Sequence, residues 1–269
     1  MSKYERLFNV NKAIFRVYGF LISIQRMPLI IKTKPVLRRN IYLKDKKKTE
    51  KCFIIGLGPS LKQVDLTKLD GDLIVTNRYY KTQGADETSP TAYVLVDNAF
   101  FNKLDDFIKA KKMFPDCNYI VSSRYYEEIK KISTNDNNFY VSMWKGFFSP
   151  NNNIDLCKVM PMSNNVACTA IMLALYMEYR EIYLLGCDFN SFASQTAIHA
   201  YEETNNGRLW SMSDELFQYS FAADMHVQLQ RYAKRKGVVI YNATRGSLID
   251  AYQRIEMDIY KKVNDENNE

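Results

Sequence analysis

The sequence predicts an α/β fold, a mostly parallel sheet with helices on both faces, and three observations predict it. Short apolar runs alternate along the chain with stretches of helical periodicity. Several of those runs stop at Gly, Asn or Asp, the residues that end strands in turns. One run leads straight into a glycine turn, Gly56-Leu57-Gly58-Pro59-Ser60.

The first strand is Cys52–Gly56, and a helix is expected from Ser60 to about Leu69. Asp70-Gly71-Asp72 turns the chain into a second strand, Leu73–Thr76, which stops at Asn77. A third strand, Ala92–Val96, stops at Asp97, and the helix after it runs from about Phe100 to Met113. A fourth strand at Tyr119–Val121 precedes a helix over Arg124–Ile132, and Phe139–Met143 fits another strand. A loop rich in Asn and Pro then leads to Ser163-Asn164-Asn165 and a mostly apolar, buried helix from Val166 to Tyr179. The most apolar strand, Glu181–Leu185, closes at Gly186-Cys187-Asp188-Phe189. A long helix over about Asp214–Lys236, a strand at Val238–Tyr241 and a last helix after Ser247 complete the pattern.

The 269 residues suffice for one large domain with appendages. Residues 1–50 read as a basic N-terminal extension, 51–262 as the catalytic domain and 263–269 as a disordered tail. Within the domain, about 190–212 has little periodicity and reads as a lid.

The formal charge of +7 is uneven, and much of its excess lies in the first 51 residues. Apolar residues such as Phe8, Phe15, Phe20 and Leu21 are interleaved with those cations. No uninterrupted run approaches the roughly 20 residues of a membrane span, and no small-residue cleavage site marks a signal peptide. The pattern fits an interfacial helix on an anionic membrane, or equally a helix packed on the domain with basic outer positions. No nucleic-acid module is recognisable, so no nucleic-acid partner is expected. Five scattered cysteines without a C-x-x-C pair fit reduced thiols in a cytosolic compartment, and a zinc site is not indicated.

In parallel sheets, ligands bind beyond the carboxyl ends of the strands. Gly56 and Gly58 let the backbone bend and leave room for a ligand, and Ser60 caps a helix whose N-terminus suits a phosphate. With a single G-x-G and no lysine after it, neither the full dinucleotide fingerprint nor the P-loop is met, and a plain strand-to-helix turn remains open. Asn77 carries donors and acceptors suited to a base edge, ribose or phosphate, or serves only as a turn residue. Asp97 and Asp188 fit ribose or metal binding, or capping. Of the two histidines, His226 falls within a helix as a packed or surface residue. His199, in Ile198-His199-Ala200-Tyr201-Glu202-Glu203, is placed as a general base with carboxylates nearby.

These residues together resemble the bacterial lipooligosaccharide sialyltransferases, glycosyltransferase family 42. The likeness lies in Gly-Leu-Gly-Pro-Ser-Leu, in Val75-Thr76-Asn77-Arg78-Tyr79-Tyr80, and in Glu181-Ile182-Tyr183-Leu184-Leu185-Gly186-Cys187-Asp188-Phe189, and it spans about residues 51–250. It implies a single Rossmann-like domain with a lid and an inverting transfer of sialic acid from CMP-sialic acid, with a lid histidine as base and no essential metal. Carried over, Gly56, Gly58, Pro59 and Ser60 form the phosphate and cytidine turn, and Asn77 contacts the nucleotide. Ser163, Asn164 and Asn165 lie beside the donor. Independently of the resemblance, Asp97, Asp188 and Asn190 are also placed among the donor-binding residues. The chain departs from the family at Leu57, where the family has Asn, and at Asn190, where it has Tyr. His199 also precedes the family's lid histidine, and its His-x-Tyr-Glu-Glu setting resembles a wider family of flagellin-modifying and pterin-pyrophosphokinase-like proteins.

The resulting expectation is a cytoplasmic glycosyltransferase at the inner face of the cytoplasmic membrane, acting in lipopolysaccharide, O-antigen or capsule synthesis. Its donor is a CMP-activated, sialic-acid-like keto-sugar and its acceptor a cell-surface or lipid-linked glycan. No cofactor is required, with magnesium at most stimulatory, and a homo-oligomer is expected. The alternatives are a pyrophosphokinase using ATP and magnesium through Asp97 and Asp188, and a non-catalytic nucleotide-binding protein at the membrane.

Overall fold

Cys52-Phe53-Ile54-Ile55 combines β-branched, aromatic and small apolar side chains that suit a pleated chain buried on both faces. The segment becomes the centre of the sheet. The computed structural model describes residues 10–14, 17–21, 24, 27–97, 104–133, 136–144, 148–161, 163, 165–194, 199–202 and 211–260.

The strands are β1 (Lys51–Ile55), β2 (Asp72–Thr76), β3 (Ala92–Leu95), β4 (Asn118–Ser122) and β5 (Asn138–Val141). They continue with β6 (Met143–Trp144), β7 (Met160–Pro161), β8 (Glu181–Leu185), β9 (Val239–Asn242) and β10 (Gln253–Arg254). Eight of them form one sheet in the order β10-β9-β8-β1-β2-β3-β4-β5, and β6 and β7 pair separately. Every pairing in the large sheet is parallel, with Cys52 beside Asp72 on one side and Ile182 on the other.

Alternate residues of each strand enter opposite cores, as a period of two requires. Ile54, Ile74, Val94, Ile182 and Leu184 enter one core, beneath helices α4 (Val166–Tyr176) and α5 (Met212–Arg235). Phe53, Ile55, Val75, Tyr93 and Tyr119 enter the other. There they meet α1 (Met27–Arg38) through Leu37, α2 (Asp105–Met113) through Phe107 and Ala110, and α3 (Tyr126–Ile132) through Ile129. Burying each such side chain contributes about 1.5–3 kcal/mol. In α4 all residues but Val166 are buried, which is why its sequence is apolar all round.

Asp72 fastens the amino edge of the sheet. Its carboxylate accepts from the amides of Lys48 and Thr49, from Thr91 Oγ1 and from Tyr179 Oη, all within 3.2 Å.

Among the described residues, two expected helices are absent. From Pro59 the chain makes two short 3₁₀ turns, Pro59–Gln63 and Leu66–Lys68, in place of a helix to Leu69. The Asp65 carboxylate accepts from the Thr67 amide while the Asp65 amide donates to Ile259 O, so side chain and tertiary contact take the groups a helix needs. After Ser247 an irregular segment leads into β10. The Ser247 hydroxyl donates to Cys187 O and accepts from the Ile249 amide and Asn242 Nδ2, bonds that hold the chain against the sheet edge. The helix expected from Phe100 is described only from Asp105, and residues 98–103 lie outside the described residues, as does the tail 263–269.

Candidate active site

From β1 the chain moves through β2 to β5 on one side, and from β8 it moves through β9 and β10 on the other. Connections diverge between these two neighbours, and that divergence opens a crevice at their carboxyl ends. The loops that follow β1 and β8, residues 56–60 and 186–190, form its lips.

The two lips are sewn together. The Gly56 amide donates to Leu185 O and the Gly58 amide to Gly186 O, each at 2.8 Å. A Cβ on Gly56 would stand 2.4 Å from Gly186 O, and one on Gly58 would stand 1.9 Å from Asp188 Oδ2. The glycines are therefore required by the close approach of β8's loop. Asp188 Oδ2 accepts from the Ser60 hydroxyl at 2.7 Å and Oδ1 from the Ser60 amide at 3.2 Å. Burial raises the Asp188 pKa, with the Ser60 bonds acting in the opposite direction. This bears on the phosphate-turn expectation without settling the role of Leu57 in it. The amides of Gly56, Gly58 and Ser60 already serve the protein, Pro59 has none, and the five-residue 3₁₀ turn supplies no helix N-terminus. Asp188 thus fastens the turn after β1 rather than the element that follows it in sequence.

A second wall comes from β2. Asn77 is left-handed, with φ of 51°, a conformation Asn tolerates better than most residues. Its amide donates to Val94 O, its carbonyl accepts from Tyr93 Oη at 2.8 Å, and its buried Oδ1 has no hydrogen-bond partner. Arg78 Nε bonds Asp106 Oδ2 at 3.2 Å, and the Tyr80 hydroxyl donates to Asp106 Oδ1. Burial opposes the charge on Arg78, but Asp106 and a hydrogen bond to Tyr201 outweigh it and raise its pKa.

That bond joins β2 to the predicted lid. Among residues 190–212, those at 195–198 and 203–210 lie outside the described residues. In the short segment 199–202, the Ala200 amide donates to Leu57 O at 2.8 Å, which pins the segment to the glycine turn. His199 is half-buried and lies parallel to the Tyr201 ring, 5.1 Å between centroids. Lys81 Nζ sits 5.4 Å from the centre of the Tyr201 ring. Leu57, Ala200, Tyr201 and Arg78 thus bring His199 to the mouth of the crevice. Sequence reasoning missed Arg78 and Tyr201. The basic residue and two tyrosines directly after Asn77 were the available signal.

The other expected residues divide. Asn165 caps α4, accepting from the Ala167 amide at 2.7 Å, and the Ser163 hydroxyl bonds that of Thr169. Because α4 runs back against the strands into β8, its N-terminus lies at the same rim as the crevice. Asn164 lies outside the described residues. Asn190 is half-buried and precedes a 3₁₀ turn, Ser191–Ala193, whose Ser191 bonds Tyr219 Oη and Glu215. Asp97 is exposed at the end of β3, three strand spacings or roughly 14 Å from β8. Asp97 and Asp188 are therefore not brought together. His226 is a packed core residue, bonded to Tyr252 Oη at 2.9 Å, and burial pushes its pKa down to about 3.

The fold and site define a doubly wound α/β domain with a glycine turn at its topological switch point. The sialyltransferase CstII from Campylobacter jejuni, solved with cytidine-5'-monophosphate, has this fold, with a TM-score of 0.50 and 13% identity over 79% of this chain and 87% of that one. A glycosyltransferase named MAf from Magnetospirillum magneticum gives 0.48 and 15% identity, over 82% of this chain and 38% of that one. The α-2,3-sialyltransferase Cst-I from Campylobacter jejuni gives 0.40 and 16%, over 83% and 88%. At such identities the likeness is one of fold, and it rests on the first. No protein-family model matches the chain, and no curated protein does.

Proposed function

We propose that the chain is an inverting glycosyltransferase that moves a CMP-activated, sialic-acid-like keto-sugar onto a glycan. The observation that carries this is His199, held at the mouth of the switch-point crevice by the Ala200–Leu57 hydrogen bond, in a fold shared with a sialyltransferase that was solved with cytidine-5'-monophosphate. In this reading His199 takes the proton from an acceptor hydroxyl as its oxygen attacks the anomeric carbon. The bond from that carbon to the phosphate oxygen breaks, the configuration inverts, and CMP leaves. Asn77 Oδ1, buried and unpartnered, accepts from a donor group of the nucleotide. With the amides of Gly56, Gly58 and Ser60 bonded within the protein, the positive field for the leaving phosphate comes from Arg78 and Lys81. The reaction needs no metal. The acceptor is a cell-surface glycan still carried on lipid at the inner face of the cytoplasmic membrane, where the enzyme is peripheral.

A thermal-shift panel of CMP, UDP, GDP and ATP with magnesium tests the donor. CMP alone at about a hundred times its dissociation constant should stabilise the fold by about 2.7 kcal/mol, a rise of roughly 5–10 °C. Stabilisation only by ATP with magnesium overturns the proposal. In the same assay His199→Ala should keep the CMP response while turnover falls by about 10²–10⁴. Unchanged turnover removes His199 from the mechanism.

A further inference from the structure

We propose that residues 10–24 form a docking surface for an anionic lipid bilayer. The described residues here have helical backbone. Val10, Ile14, Val17, Leu21 and Ile24 recur at intervals of four and three, which places them on one helix face, and Phe20 lies beside them. All six are 52–64% exposed. A helix that used this stripe to pack on its own domain would hide it.

The opposite side does the packing. Lys12 and Gly19 stand two residues, about 200°, from stripe positions. Gly19 is buried, and Lys12 Nζ reaches Asp224 Oδ2 on α5 at 2.5 Å. Further along, Thr33 and Leu37 of α1 are buried while Ile31 is 66% exposed. The segment is thus anchored by one face and presents an apolar face outward, a surface larger than isolated exposed residues explain.

Charge selects the occupant. Residues 1–51 hold 14 basic and 3 acidic side chains, a balance of +11 in a chain of total +7, which leaves the other 218 residues at −4. Lys34, Arg38, Lys46 and Lys48 are exposed, close in sequence to the stripe. A second copy docked through the same face would bring two such cationic segments together. An anionic bilayer neutralises them, accepts the apolar stripe between its headgroups, and repels the acidic body. No helix among the described residues is long and apolar enough to cross a membrane, so the contact is one of surface. This proposal deepens the peripheral placement proposed above, and its test reads neither the donor nor the base assigned there.

The test is flotation of the full chain with vesicles of phosphatidylcholine, alone or with about 30% phosphatidylglycerol, at about 0.15 M salt. Binding to the anionic vesicles should exceed binding to the neutral ones by about tenfold or more. Val17→Glu with Leu21→Glu should reduce it by at least about tenfold, and both positions are exposed enough for the fold to accept the change. The melting temperature of that variant and its response to nucleotides should match the parent chain. Binding to neither vesicle, or equal binding by the variant, overturns the proposal. So does a dimer of the parent chain that the same substitutions dissolve without any vesicle binding.

Discussion

At the scale of single residues, the buried histidine governs the response to acid. His226 bonds Tyr252 Oη, lies 3.5 Å from Cys168 Sγ, and meets the ring of Phe189 edge-on at 5.6 Å. Burial holds its pKa near 3, against 6.5 for an ordinary histidine. Below pH 6.5 the unfolded chain takes up a proton that the folded chain refuses. Stability therefore falls as pH drops from about 6.5 towards 3, by up to about 1.4 kcal/mol per pH unit from this group. His226→Gln lowers stability at neutral pH by removing packing, yet its melting temperature should fall less steeply between pH 6.5 and 4. Equal slopes in parent and variant show that His226 is not the sensor. That His226 lies in a helix was legible beside Met225 and Val227, but whether it is packed or at the surface was not. The fate of Gly58 was not, because it depends on Asp188, 130 residues away in sequence. The left-handed turn at Asn77 was hidden likewise, since Tyr93 holds it from the next strand.

Among the elements, the central strands were legible, whereas the turns and the short strands β7 and β10 were not. Each central strand is an apolar run that stops at Gly or a polar residue, and burial on both faces leaves such a run little alternative. The missing helices at 60–69 and after Ser247 failed because tertiary hydrogen bonds to Ile259 and Cys187 outweigh local propensity. His199 was singled out by residue type alone. Its mooring was not, because Leu57, Arg78 and Tyr201 meet only in the fold. That mooring carries a prediction. Tyr201 links His199 to Arg78 by a parallel ring contact and a hydrogen bond. Tyr201→Ala should lower kcat about tenfold or more by loosening the geometry of the base, while KM for the nucleotide donor changes little. Tyr201→Phe keeps the ring contact and should recover part of the loss. A variant that changes KM and leaves kcat intact would assign Tyr201 to donor binding.

At the scale of the whole molecule, a basic segment lies on an acidic body, and ion pairs join them. Lys32–Glu127, Arg39–Asp136 and Lys44–Glu178 are well exposed, so each contributes at most about 1 kcal/mol. Lys12–Asp224 differs, because its side chains are only 12% and 19% exposed. Removing the carboxylate leaves a half-buried ammonium whose lost partner water replaces incompletely, a larger cost than at an exposed pair. That cost falls on the docking of residues 10–21, because β1 and β8 are held by their own ladder and by two apolar cores. Asp224→Asn should therefore speed amide hydrogen exchange in residues 10–21 by about tenfold while the amides of β1 and β8 keep their protection. Faster exchange throughout the sheet would show that segment and body unfold as one unit. Exchange unchanged everywhere would mean that Gly19, Thr33 and Leu37 hold the segment without the ion pair.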